Sequence, residues 1–164
     1  MACEFLIGRF ANGFVVRVVG RGTMEESPAF RAAVSRALES GVVVFDATRC
    51  EYLDSTFLGC LIGLKKSCEQ FPERQFLIAA EPAIRIKLFC TSSLDKYFDF
   101  VEVCPETEGQ PMTIDVESHE RDVLGRHVMR CHATLAEIGG REAPAFKAIA
   151  DRLAKELGDR ASVE

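Results

Sequence analysis

The chain has 164 residues, a formal net charge of -5, 48% hydrophobic and 27% charged residues. This suits one globular domain with an appendage. It argues against a general nucleic-acid binder, because Lys and Arg are scattered and no basic cluster is interleaved with aromatics. No apolar run reaches the length of a membrane span, and the N-terminus lacks a charged stretch followed by a long apolar one, so no membrane association and a cytoplasmic location are expected.

Residues 4–10 and 14–19 are two apolar runs separated by Ala11-Asn12-Gly13, and Asn-Gly between such runs predicts a β-hairpin. The loop 20–26 that follows has two glycines but neither the Gly-x-Gly-x-x-Gly of a dinucleotide site nor a P-loop lysine, so no cofactor is expected. Ser27-Pro28 opens a helix, with serine as a potential cap and proline at the first helical position. Phe30, Ala33, Val34, Ala37 and Leu38 recur at helical spacing and Gly41 ends it. Val42 to Phe45 is an unalternating β-branched run, the pattern of a central parallel strand buried on both faces.

A short loop then leads to Asp54-Ser55-Thr56, which opens an apolar helix running to about Phe71. Leu58, Leu61, Ile62, Cys68 and Phe71 are its expected inner face. Gly59 and Gly63 each cost about 1 kcal/mol of helix propensity against alanine, so a close neighbour is expected there. Asp54 or Ser55 can accept hydrogen bonds from the free N–H groups of the first turn, and the positive end of the helix dipole suits an anion. Taken alone, an Asp-Ser pair before a helix is simply a cap. Residues 75–80 form the next strand, Ala83 to about Cys90 a third helix broken by Thr91-Ser92-Ser93, and residues 98–103 a last strand. The resulting order, β-β-α-β-α-β-α-β, implies a mixed sheet with helices covering it.

That unit spans residues 1–104. Residues 105–117 read as a linker by composition, and 118–159 as two C-terminal amphipathic helices forming a helical hairpin. Leu124, Val128, Cys131, Leu135 and Ile138 make the seam of the first helix; Phe146, Ile149, Leu153 and Leu157 face inward from the second. The stripe needs a cover, which the parent domain, a homodimer or a partner protein could supply. Seven cysteines, at 3, 50, 60, 68, 90, 104 and 131, have no C-x-x-C pair and lie mostly in apolar runs. They read as free thiols in a reducing compartment, with no metal site. His127 and Cys131 stand four apart and can share a helix face, where a packing role is expected.

The segment Val43-Val44-Phe45-Asp46 … Tyr52-Leu53-Asp54-Ser55-Thr56-Phe57-Leu58-Gly59 resembles the signature of STAS domains, the anti-sigma factor antagonist family, over residues 3 to 104. The resemblance implies a STAS-like α/β fold and a non-enzymatic regulatory protein. It further implies that Ser55 is the phosphoacceptor, with Thr56 as the fallback. The implied partners are an anti-sigma factor that acts as a serine kinase, and a phosphatase. Thr23, Met24, Glu25, Asp54, Phe57 and Gly59 would form the partner-binding surface. Phe57 departs from the family's usual glycine, Thr91-Ser92-Ser93 stands where the family often has Thr-Gly-Leu, and the helical hairpin is an addition. The alternative reading is a non-phosphorylated scaffold or ligand-binding module that uses this surface and the added helices to hold another protein or a small ligand. An enzyme is disfavoured: no Gly-x-Ser-x-Gly or H-E-x-x-H is present, and all three histidines (119, 127, 132) lie in the appended segment.

Overall fold

The computed structural model of the chain describes residues 3–90 and 93–161, the side chains of 160 and 161 excepted. The hairpin predicted at the start forms from β1 (Glu4–Phe10) and β2 (Gly13–Gly22), paired antiparallel with Phe10 opposite Gly13. The chain continues through α1 (Ser27–Leu38), β3 (Val42–Asp46), β4 (Cys50–Leu53), α2 (Ser55–Ser67), β5 (Gln75–Ala79) and α3 (Pro82–Arg85). A π-helical turn at Ile86–Cys90 extends α3, and then come β6 (Asp99–Val101), β7 (Glu108–Ile114), α4 (Arg121–Ile138) and α5 (Ala143–Ala161).

The sheet order is β6-β5-β3-β2-β1-β7, with β4 pairing the far end of β2. Pairs β2–β3, β3–β5, β5–β6 and β2–β4 are parallel; β1–β2 and β1–β7 are antiparallel. The sheet is therefore mixed, as expected. Two strands depart from the sequence reading. Cys50–Leu53, read as loop, extends the sheet beside Gly20–Gly22. Glu108–Ile114 lies inside the stretch read as a linker and pairs with β1 at the sheet edge. The expected break at Thr91-Ser92-Ser93 falls mostly outside the described residues; Ser93 has φ 58°.

Alternation along the strands divides the core. Val16, Val18, Val43 and Phe45 face a large cluster shared with Phe30 of α1, Leu61 of α2, Leu88 and Cys131. Val15, Val44 and Ala79 point the other way into a small cluster made only of strand residues and Cys104. On that second face, buried Asp46 accepts from Arg17 Nε at 2.6 Å and from Thr48 N and Oγ1 at 3.0 and 2.6 Å. Burial alone would raise the Asp46 pKa, but these hydrogen bonds and the guanidinium charge outweigh it and hold the carboxyl below its usual value.

In the large cluster, α2 is buried on nearly every side: Thr56 through Ile62, and Leu64, are all inside. A helix that is apolar all round must be covered from two directions. The sheet covers one side and α4 covers the other. Gly139 and Gly140, both with positive φ (81° and 90°), turn the chain from α4 into α5. The hairpin thus packs on its own domain. Cys131 and Leu135 are buried, while Leu124, Val128 and Ile138 are half-buried. Ile149, expected inward, is 42% exposed, and Ala150 takes the inner position.

Candidate functional site

The first turn of α2 is built by Asp54. Its backbone is extended (φ -81°, ψ 173°) and its Oδ1 accepts from Phe57 N at 2.8 Å, an N-cap that satisfies one free amide of the turn. Its other oxygen, Oδ2, accepts from Met24 N at 2.7 Å. One carboxylate therefore clamps the β2–α1 loop to the start of α2. The loop is tightened further by Thr23, whose N and Oγ1 donate to the Glu26 carboxylate at 2.8 and 2.5 Å. Met24 and Glu25 are exposed, and Thr23 is half-buried. Thr23, Met24, Glu25 and Asp54 do come together, then, around one helix end.

Ser55 follows the cap and is half-buried. Its Oγ lies 3.1 Å from Nε2 of His132, which comes from α4. The other ring nitrogen, Nδ1, is 2.9 Å from the Val128 carbonyl oxygen, which can only accept. Nδ1 therefore carries a proton, and in the neutral ring Nε2 is the acceptor to which the Ser55 hydroxyl donates. The His132 ring is 4% exposed and lies 5.9 Å, centroid to centroid, from Phe146 of α5. The appended hairpin thus reaches the serine and covers it.

Three expected site residues lie elsewhere. Phe57 is 0% exposed and packs on Phe5, Phe30 and Phe45, with ring centroids 6.3, 4.8 and 6.4 Å away. It anchors α2 from below, because its position shares a helix face with Leu61 and Leu64. Thr56 is 3% exposed and turned into the protein. Gly59 is buried under α4: a Cβ built there would stand 2.3 Å from the Cys131 carbonyl oxygen. The glycine is what lets the two helix backbones touch.

Next to this contact, α1, α2 and α4 meet in a polar cluster. Ser27, expected to cap α1, is instead its first residue; Glu26 stands at the cap position, and its side chain accepts no bond from the first turn of the helix. The Ser27 hydroxyl is 2.5 Å from His127 Nε2, the same nitrogen is 3.6 Å from Cys131 Sγ, and Cys60 Sγ donates to the Ser27 carbonyl at 3.8 Å. All four residues are buried. The sequence marks His127 and Cys131 as a helical pair, but nothing local marks their partners 100 and 71 residues away.

The sheet and its helices have the fold of an anti-sigma factor antagonist. The crystal structure of such a protein from Mycobacterium paratuberculosis superposes with a TM-score of 0.51 at 22% identity, over 62% of this chain and 87% of that one. A family model described as Mlab, STAS domain, matches residues 8–102. The chain belongs to the STAS domain family. A second solved structure, the anti-sigma factor antagonist SpoIIAA in its unphosphorylated form, gives a TM-score of 0.49 at 15% identity, over 61% of this chain and 89% of that one. No curated protein sequence matches the chain significantly. Strand β7 and the α4–α5 hairpin lie beyond the family match.

Proposed function

We propose that this protein is a regulatory switch of the anti-sigma factor antagonist type, in which phosphorylation of Ser55 decides whether a partner can dock. The observation that carries the reading is the placement of the Ser55 hydroxyl at the N-terminus of α2, beside the exposed Met24–Glu25 loop and not in the core. The partners are an anti-sigma factor with serine kinase activity and a phosphatase that resets the switch. A phosphoserine adds about −1.5 to −2 charge at pH 7. The helix dipole favours that charge, while Asp54 next to it opposes it, so the change is one of local electrostatics at an interface. His132 gives the switch a second feature. Phosphate transfer to the Ser55 hydroxyl must break its contact with His132, so the hairpin bears on how readily Ser55 is modified.

Intact-mass and peptide analysis of the protein isolated from its own cells tests this. A phosphate mapped to Ser55, and lost partner binding when it is present, is the expected result. Equal partner binding by the wild type, Ser55→Ala and the phosphorylated form would overturn it.

A further inference from the structure

Cys131 and Cys60 are the two thiols that the hairpin brings together across the α2–α4 contact. The backbones of α2 and α4 meet one residue before Cys60: a Cβ placed on Gly59 would be 2.9 Å from the Cβ of Cys131. Both sulfurs enter one buried polar cluster: Cys60 Sγ is 3.8 Å from the Ser27 carbonyl oxygen, and Cys131 Sγ is 3.6 Å from His127 Nε2, which is 2.5 Å from the Ser27 hydroxyl. Cys60 is fixed from behind by the Ser27 carbonyl, and Cys131 from the side by His127. A groove of about 340 Å³ between α1 and α4 is lined by Arg31, Arg126, His127 and Arg130, and His127 at its buried wall is the residue that touches Cys131. None of those three arginines makes an ion pair among the described residues.

We infer that Cys131 and Cys60 form a peroxide-sensitive pair whose oxidation ties α4 to α2 and locks the hairpin over the first turn of α2. In the first step the Cys131 thiolate attacks one oxygen of hydrogen peroxide. The O–O bond breaks, an S–O bond forms, and the departing oxygen leaves as water after taking up a proton. In the second step the sulfur of Cys60 displaces the hydroxyl of the Cys131 sulfenic acid. An S–S bond forms, and the Cys60 proton leaves with that hydroxyl as a second water. Two thiols are oxidised and one peroxide is reduced.

The electrostatics assign the roles. A hydrogen bond from the Cys60 thiol, opposed by burial and helped by His127 and the Arg31 charge, draws Cys131 well below the ordinary cysteine range. The same hydrogen bond together with burial pushes Cys60 up. Burial likewise raises Cys3, Cys50, Cys68 and Cys104, and Cys90 is also raised. Cys131 is thus the one thiol set to be the attacking thiolate, and Cys60 is the thiol positioned to resolve it. Cys60 and Cys131 are 3% and 4% exposed, so attack proceeds during a brief lift of α4.

The test treats the full-length reduced protein with hydrogen peroxide at pH 7, alkylates remaining thiols and maps peptides without reduction. The expected product is a Cys60–Cys131 linked peptide. Cys131 should be consumed at least about tenfold faster than Cys3, Cys90 or Cys104. In Cys60→Ser the sulfenic acid of Cys131 should persist and be trapped by dimedone, and in Cys131→Ser no Cys60 disulfide should form. Amides of α4 should exchange more slowly in the oxidised protein. The inference is overturned if the half-buried Cys3, Cys90 or Cys104 is consumed first in the wild type, if Cys60 pairs elsewhere, or if Cys131 stays reduced. The locking concerns the site proposed above, but its chemistry does not depend on that reading: Ser55→Ala should still form the Cys60–Cys131 disulfide, even where Ser55 proves never to be phosphorylated.

Discussion

Gly59 and Gly63 are one helical turn apart on α2 and predict opposite outcomes for the same substitution. Alanine at Gly63 meets nothing within 4 Å, so Gly63→Ala gains helix propensity of about 0.5–1 kcal/mol and no clash. Alanine at Gly59 gains the same propensity, but its methyl group lands 2.3 Å from the Cys131 carbonyl oxygen, where ordinary contact begins near 3.4 Å. The obstacle is backbone, so no side chain can rotate away, and α4 must retreat by about 1 Å. Overpacking of this kind costs about 1–3 kcal/mol. The two variants should therefore differ by about 1–3 kcal/mol, or at least about 2 °C in Tm for a chain of this size. A 1 Å retreat also stretches the 3.1 Å Ser55–His132 contact past hydrogen-bond range. Urea denaturation gives the energies, and amide exchange of α4 shows whether the hairpin has lifted. If Gly59→Ala is as stable as Gly63→Ala with α4 still protected, the helix contact is not as close as described.

His132→Ala should cost about 0.5–1.5 kcal/mol and speed amide exchange in the first turn of α2, measured against the wild type; unchanged exchange would mean that the histidine does not hold that turn. Ser55→Glu, which sets a carboxylate beside Asp54 and His132, should loosen α4 by the same exchange measurement. Phe57→Ala should lose about 3–5 kcal/mol in urea titration, because the ring is fully enclosed by three other phenylalanines. Asp46 sets an acid limb. Its folded pKa lies below the unfolded value, so its contribution is complete above about pH 4 and fades as pH falls through the folded pKa. Asp46→Asn should flatten that part of the stability–pH curve and leave Arg17 without its partner at every pH.

The parallel core strands were legible because an unalternating run such as Val42–Phe45 has few other structures open to it. Strand β4 was not legible: Cys50-Glu51-Tyr52-Leu53 is short, and it becomes a strand only because Gly20–Gly22 offers free backbone beside it. Strand β7 was hidden for a different reason. Residues 108–113 are exposed and the strand contains Gly109 and Pro111, so no pattern of burial marks it. An edge strand tolerates a proline because one row of its amides faces away from the ladder. Phe57 could have been placed correctly. Positions 57, 61, 64 and 68 repeat at helical spacing, and that period outweighs any comparison with a glycine at the same place.

The cap was written in the sequence, whereas the lid over it was not. Asp54 before Ser55 predicts a helix start from adjacent residues alone, and the structure adds only that the second carboxylate oxygen holds Met24. His132 reaches Ser55 across 77 positions, and no local pattern distinguishes a histidine that will touch a serine from one that will fill a seam. What the sequence did contain was the reason such a contact must exist. A helix reading Thr56-Phe57-Leu58-Gly59-Cys60-Leu61-Ile62 has no polar face to leave in water, and Gly59 has no packing use unless another backbone lies on it. The amphipathic stripe around Cys131 had no cover of its own. Two incomplete surfaces in one chain, one apolar helix and one apolar hairpin, meet each other at an effective concentration that a separate partner cannot match. A partner that needs the first turn of α2 must therefore compete with a segment of the same molecule.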